Sequence, residues 1–296
     1  MTDPALPAFT TATTATTSTT ASTLSAATEA PRAPGAPVPT LADADLQFRA
    51  AVDADPQSPP PLMLVLPGGS YREHADHEGI TIADWLAEIG VNALVVKYPV
   101  DPARYPAALR RVQDVLAAAR SGALDFGTDE TGAAVVVDRS RIGVLGFSAG
   151  GHVAALMATG VTSAPVDPAN RVDLSVLCYP VISMTHEPHG ESLESLLGND
   201  DTLDDRRALS AEHLVSAQTP PTFLWHTADD GAVAVSHSLR YASALAAHNV
   251  PFDLHVFERG DHGKGLAYDL GPLEAWSALC ESWLGEHGWV GGPASA

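Results

Sequence analysis

The stretch "RIGVLGFSAGG", Arg141–Gly151, decides how the rest of the chain is read. Ile142, Val144, Leu145 and Phe147 make a short apolar run, the pattern of a strand buried on both faces. The run ends in Gly146-Phe147-Ser148-Ala149-Gly150-Gly151, and "HVAALMAT" continues as a helix. A serine fenced by glycines at that junction suits a chain that turns sharply and holds a hydroxyl out at the bend. Glycine accepts the backbone angles and the close packing that such a turn demands. The plainer role for the serine is a helix cap.

Outward from this point the pattern repeats. "PLMLVLP" (61–67), "VNALVVKYP" (91–99), "LSVLCYP" (174–180), "PTFLWHT" (221–227) and "PFDLHVFE" (251–258) read as strands. Between them, "GITIADWLAEIG" (79–90), "YPAALRRVQDVLAAAR" (105–120) and "VSHSLRYASALAAHN" (235–249) read as helices, and "PLEAWSALCESWLGEH" (272–287) closes the series. Alternating strands and helices, with the strands apolar throughout, predict an α/β fold: a mostly parallel, doubly wound sheet with helices on both faces. One domain is expected over 46–290. Residues 181–216 are polar and irregular and follow a strand's C-terminal end, so they are expected to form a small lid over the ligand-binding face.

Composition sets the outer limits. The 296 residues carry a formal net charge of −20, and Lys97 and Lys264 are the only lysines. That balance argues against nucleic acid and anionic membrane surfaces as partners. No apolar run is long enough to span a bilayer. Cys178 and Cys280 sit far apart in apolar surroundings and read as free, buried thiols. Residues 1–45 are rich in Thr, Ala and Pro and read as a disordered tail, and 291–296 as a flexible end. The tail lacks the features of a secretory signal, which predicts a cytoplasmic protein.

G-x-S-x-G between strand and helix is the nucleophile elbow of α/β-hydrolases, where the triad partners follow in the order Ser, Asp or Glu, His. Ser148 is the candidate nucleophile. After the strand "PTFLWHT" come Asp229 and Asp230, and after the last strand comes His262 in a glycine-flanked loop. Asp230 stands at the spacing to Val233 that favours it as the acid, with Asp229 as the fallback. His262 is the candidate base. The oxyanion hole is expected from the N–H groups of Ala149, Gly69 and Ser70, with Gly68 shaping the "LPGGSY" loop. Trp225 and Tyr179 read as packing residues at strand ends that are also within reach of a pocket.

The blocks "LVLPGGSY", "WLAEIGVNALVVKYPV", "RIGVLGFSAGGH", "LLGND", "PPTFLWHTADD" and "HVFERGDHGKGLA" together resemble the acetyl-esterase and acetylxylan-esterase-like serine esterases of the α/β-hydrolase superfamily. The resemblance covers about 61–284. It implies a carboxylester hydrolase acting on short acyl esters, acetyl groups on sugars among them, with Ser148, Asp230 and His262 matching the family's triad motifs. Where the family usually has Val-Pro after the acidic turn, this chain has Val233-Ala234. His74, His77 and Glu78 resemble a family feature and read as a hydrogen-bonded wall rather than metal ligands. His186, Glu187 and His189 read as exposed lid residues or substrate contacts. No metal or cofactor is expected, since this chemistry needs none.

The expected partner is a small-molecule ester. Two alternatives remain at this level. One is an amide-bond hydrolase, a formamidase or peptidase, on the same fold. A prolyl-oligopeptidase-like peptidase would usually carry a propeller in front, and here only the tail precedes the sheet. The other is a non-catalytic binding protein on a hydrolase fold.

Overall fold

The computed structural model describes residues 39–128, 132–160 and 171–290. Residues 1–38 and 291–296, within the stretches read as tails, lie outside the described residues. The seven strands are β1 (Leu46–Arg49), β2 (Leu62–Leu66), β3 (Asn92–Val96), β4 (Ile142–Phe147), β5 (Ser175–Cys178), β6 (Thr222–Thr227) and β7 (Phe252–Phe257). They form one sheet in the order β1-β3-β2-β4-β5-β6-β7. β1 runs antiparallel to β3, and every other neighbouring pair is parallel.

The inner strands β2 to β6 are buried throughout because both faces of the sheet are covered there, whereas the edge strands β1 and β7 are only partly buried. Alternation along β2 sends Leu62, Leu64 and Leu66 to one face and Met63 and Val65 to the other. The first face packs against α2 (Ala107–Ser121), α3 (Ser148–Thr159) and α6 (Ser236–Ala247), the second against α1 (Ile80–Glu88) and α7 (Ala275–Glu286). Burying a Leu or Val side chain of this kind stabilises the fold by about 1.5–3 kcal/mol before entropy is counted. Cys178 and Cys280 are free and buried in the second layer. No helix among the described residues is long and apolar enough to cross a membrane.

Two features differ from the sequence reading. The edge strand β1 is additional: its four residues, Leu-Gln-Phe-Arg, are only partly buried and carry no apolar run. Residues 40–45, set apart by composition with the tail, pack on the domain. Leu41 lies against the core, the Asp43 carboxylate pairs with Arg111, and the Asp45 carbonyl accepts the Lys97 N–H.

The segment 181–216, which follows β5, contains α4 (Gly190–Leu197), α5 (Leu203–Ala208) and a 3-10 turn at Ala211–His213. Buried Leu193 and Leu196 hold α4 against the body, and Thr202 and Asp205 form a reciprocal cap that starts α5. The Arg72 guanidinium, just beyond β2, reaches Glu191 and Glu194 of α4 at 3.2 and 2.9 Å.

The sheet order reverses direction between β2 and β4. The chain leaves β2 for β3 on one side and returns to β4 on the other, with α1 and α3 on opposite faces. The carboxyl ends of these strands therefore open onto a crevice, the place where open α/β sheets receive ligands.

Candidate active site

Ser148 is the first residue of α3 and has φ 51°. A non-glycine residue in that region stores about 1–3 kcal/mol of strain, which the surroundings must hold in place. The flanking glycines show how tightly they do so. A Cβ on Gly146 would lie 2.4 Å from the Gly150 carbonyl oxygen, and one on Gly150 would lie 2.2 Å from that of Leu66. On Gly151 it would lie 2.7 Å from Pro180 Cβ. Helix α3 is thus packed down on the ends of β2 and β4, and the serine is the residue at the bend.

His262 arrives from the loop after β7. Its Nε2 lies 2.9 Å from Ser148 Oγ and its Nδ1 lies 2.7 Å from Asp230 Oδ2. A carboxylate only accepts, so Nδ1 carries the proton and Nε2 is left to accept from the serine hydroxyl. Asp230 Oδ1 accepts the N–H groups of Ala232 and Val233, both at 2.9 Å. Its side chain is fully buried. Burial alone would push the carboxyl up, but hydrogen bonds from His226, His262 and the Val233 N–H outweigh it and hold the group well below the usual carboxylate range.

Asp229, the fallback acid, does other work. Its Oδ1 accepts the N–H groups of Gly260 and Asp261 at 2.9 and 3.1 Å, which fixes the loop that carries His262. Thr227 donates to the Asp261 carbonyl at 3.0 Å. The loop's close approach requires Gly260, where a Cβ would meet Leu273 at 2.5 Å and Thr227 at 2.8 Å.

Beside Ser148 runs the loop after β2. A Cβ on Gly68 would stand 2.9 Å from Ser148 Cβ, so the loop abuts the serine. The Gly68 N–H donates to Glu78, and the Gly69 carbonyl accepts from Arg72 and Glu73 in a tight turn. Gly69 and Ser70 have φ 127° and 57°, and their N–H groups have no partner among the described residues. The Ala149 N–H lies in the first turn of α3, where the helix offers it no acceptor.

The histidines and acids around this centre separate into distinct contacts. His77 donates Nε2–H to the Gly263 carbonyl at 3.0 Å, and the His74 ring stands edge-on to Tyr98. Glu78 is buried between the Gly68 N–H and the Tyr179 hydroxyl. Among the described residues no three His, Cys, Asp or Glu side chains converge as metal ligands. In the 181–216 segment, Glu187 accepts from Ser236 at 2.6 Å, His186 meets Thr185 at 3.1 Å, and His189 Nδ1 caps α4 by accepting from Ser192. Trp225 is core: its ring stacks on Trp276.

Sequence reasoning passed over His226. It lies in β6 with no exposed surface, its Nε2 2.9 Å from the Val233 carbonyl and 3.2 Å from Asp230 Oδ2. With Nε2–H donating, Nδ1 accepts from the Ser238 hydroxyl at 2.8 Å. A signal was present: a histidine inside the apolar run "FLWHT" needs buried partners.

A mostly parallel sheet wound in this order, with a glycine-fenced serine at the β4–α3 bend, is the α/β-hydrolase fold. The chain belongs to the prolyl oligopeptidase family, whose model matches residues 125–284. A solved acetyl ester-xyloside bifunctional hydrolase from Caldicellulosiruptor lactoaceticus is 40% identical, over 83% of this chain and 89% of that one, with a TM-score of 0.73. Endo-1,4-beta-xylanase B from Butyrivibrio fibrisolvens is 33% identical over 214 residues, 70% of this chain and 33% of its own length. An acetylxylan esterase from Xylanibacter ruminicola is 30% identical over 226 residues, 71% of this chain and 42% of its own. The chain thus spans well under half of these two relatives.

Proposed function

We propose that this chain is a serine carboxylesterase that hydrolyses short-chain acyl esters, acetyl esters foremost, including those on sugars. The observation that carries the reading is the continuous hydrogen-bonded series Ser148–His262–Asp230 beside backbone N–H groups without acceptors among the described residues. The acetyl preference draws on the likeness to the acetyl ester-xyloside hydrolase and the acetylxylan esterase.

Ser148 Oγ attacks the ester carbonyl as His262 Nε2 takes its proton, and the N–H groups of Ala149, Gly69 and Ser70 hold the oxyanion. Asp230 keeps the imidazole oriented and balances its positive charge. The C–O bond to the alcohol breaks, and His262 passes the proton to that leaving oxygen, leaving an acyl-Ser148 ester. Water repeats the sequence, giving its proton to His262 and releasing the acid and the free serine.

The test compares p-nitrophenyl acetate, butyrate and octanoate as substrates for the wild type and Ser148→Ala. The reading expects acetate to be preferred and the variant to lose about three or more orders of magnitude in kcat. Equal, negligible turnover by both proteins removes it. A second reading, an amide-bond hydrolase, takes its support from the prolyl oligopeptidase match. It predicts faster turnover of matched acyl p-nitroanilides and formamides than of the esters.

A further inference from the structure

We propose that Glu78 and Tyr179 are positioning residues that tie the oxyanion loop to the loop of the base, and that the Glu78 carboxylate acts as a second negative charge behind His262. The inference rests on the serine-hydrolase reading above and extends it to residues outside the triad.

The geometry is a closed relay. Glu78 Oε2 accepts the Gly68 N–H at 2.9 Å, and Gly68 opens the loop whose next two residues are the oxyanion candidates. Glu78 Oε1 accepts the Tyr179 hydroxyl at 2.6 Å. That hydroxyl in turn accepts the Gly265 N–H at 2.9 Å, three residues beyond His262. The Tyr179 ring stands edge-on to the His262 ring, with centroids 4.8 Å apart. Tyr179 itself has φ 36°, a costly conformation held by this packing.

Both oxygens of Glu78 accept, and the tyrosine's one proton is already given to it. The bonds are complete only if Glu78 is a carboxylate. Burying a charge is expensive without such partners, and a hydrogen-bonded glutamine would cost far less. What the carboxylate adds is its field. Burial pushes the Glu78 carboxyl up, opposed by the bonds from Tyr179 and the Gly68 N–H and by the neighbouring histidines; ionised, it attracts the positive charge that His262 acquires on taking the serine proton. Asp230 does this through direct contact, Glu78 from across the tyrosine ring.

Other titratable groups share the neighbourhood. Asp230, Ser148, Tyr179 and His189 face His262 from the other elements, and Asp261 and Lys264 flank it in its own loop. His77, Tyr98, Tyr179, Cys178 and His262 surround Glu78. Glu78→Gln leaves these groups in place, removes one charge and turns one of the two acceptor oxygens into an N–H donor facing Tyr179 or Gly68.

The experiment compares wild type, Glu78→Gln, Tyr179→Phe and Ser148→Ala, each first checked for a wild-type-like cooperative melt. It reads kcat and KM on p-nitrophenyl acetate and the rate of inactivation by a fluorophosphonate, both from about pH 5 to 9. Glu78→Gln is expected to lower kcat and the inactivation rate about ten- to a hundredfold, with KM changed less than about twofold. Its acid limb should move to lower pH. Tyr179→Phe, which keeps the charge but breaks the relay, should lower kcat while leaving the acid limb in place. Wild-type rates in Glu78→Gln, or a loss with an unmoved acid limb, overturn the inference. If Glu78→Gln does not fold, wild-type kcat in a folded Tyr179→Phe overturns it. A wild type that is labelled at Ser148 but turns over no ester defeats the ester reading alone, and the inactivation rates still judge Glu78. Neither turnover nor labelling in the wild type defeats the Ser148 reading and this inference with it.

Discussion

Two adjacent carboxylates at the end of β6 have separate tasks, and the difference is one of hydrogen-bond partners. Asp230 is buried and accepts from His262, while Asp229 is exposed and accepts from the backbone of the His262 loop. Asp230→Asn should therefore cost about three to four orders of magnitude in kcat, because an amide no longer fixes the tautomer of His262. Asp229→Asn keeps an acceptor oxygen and should stay within about tenfold. Kinetics of the two variants on one ester separate them. His226 is the next residue to test. Replacing it with Leu strands the Ser238 hydroxyl and the Val233 carbonyl and takes a donor from Asp230. Urea unfolding should show a loss of about 1–3 kcal/mol. Ser148, Asp229, Asp230 and His262 could be named from spacing and strand ends. The choice between the two acids turned on a register argument, and the contacts that distinguish them come from His226 of β6, the turn at Ala232 and Val233, and the loop after β7.

At the scale of elements, the glycines of the elbow explain why α3 starts where it does. Gly150→Ala drives a methyl into the Leu66 and Pro67 carbonyls, both backbone atoms that cannot swing aside. It should destabilise the protein by about 2 kcal/mol or more in urea unfolding and displace Ser148. Gly231 has open space at the same probe position and no left-handed angle, so Gly231→Ala should change stability by less than about 0.5 kcal/mol. Strands β2 to β6 were legible as apolar runs because parallel strands inside the sheet are buried on both faces, while β7, at the edge, is only partly buried. β1 was not: a four-residue edge strand that runs from buried Leu46 to exposed Arg49 has no such signature. The helices of the 181–216 segment were only hinted at, since α5 buries no residue and is held by its cap, whereas α4 is held by two buried leucines.

Across the whole molecule, His152 joins three regions. It lies on α3, accepts the Tyr71 hydroxyl at Nδ1 and donates Nε2–H to the Leu209 carbonyl, both at 2.7 Å. Tyr71 belongs to the loop after β2 and Leu209 to the 181–216 segment. Burial lowers the pKa of His152 to about 4, with the Leu209 bond opposing. The neutral ring is thus the favoured form in the folded state. Its contribution is complete above the unfolded value of about 6.5 and is lost as pH falls toward about 4. The total is on the order of 3 kcal/mol. His152→Gln should be less stable at neutral pH, and its stability should fall less steeply than the wild type's between these limits. Urea unfolding across that range measures the difference in slope.

The sequence by itself determined the alternation of strand and helix, the two-sided burial of the sheet and the serine bend, because these follow from local apolar pattern and from where only glycine fits. It also placed the polar candidates at strand ends. Which of them meet was decided by tertiary structure. The reversal of strand order between β2 and β4 brings the loops after β2, β4, β6 and β7 to one crevice, and residues as distant as Ser148 and His262 come within 2.9 Å. His226, Glu78 and Tyr179 acquire their partners only there, since a buried hydrogen bond is a property of the two groups that share it and not of either alone.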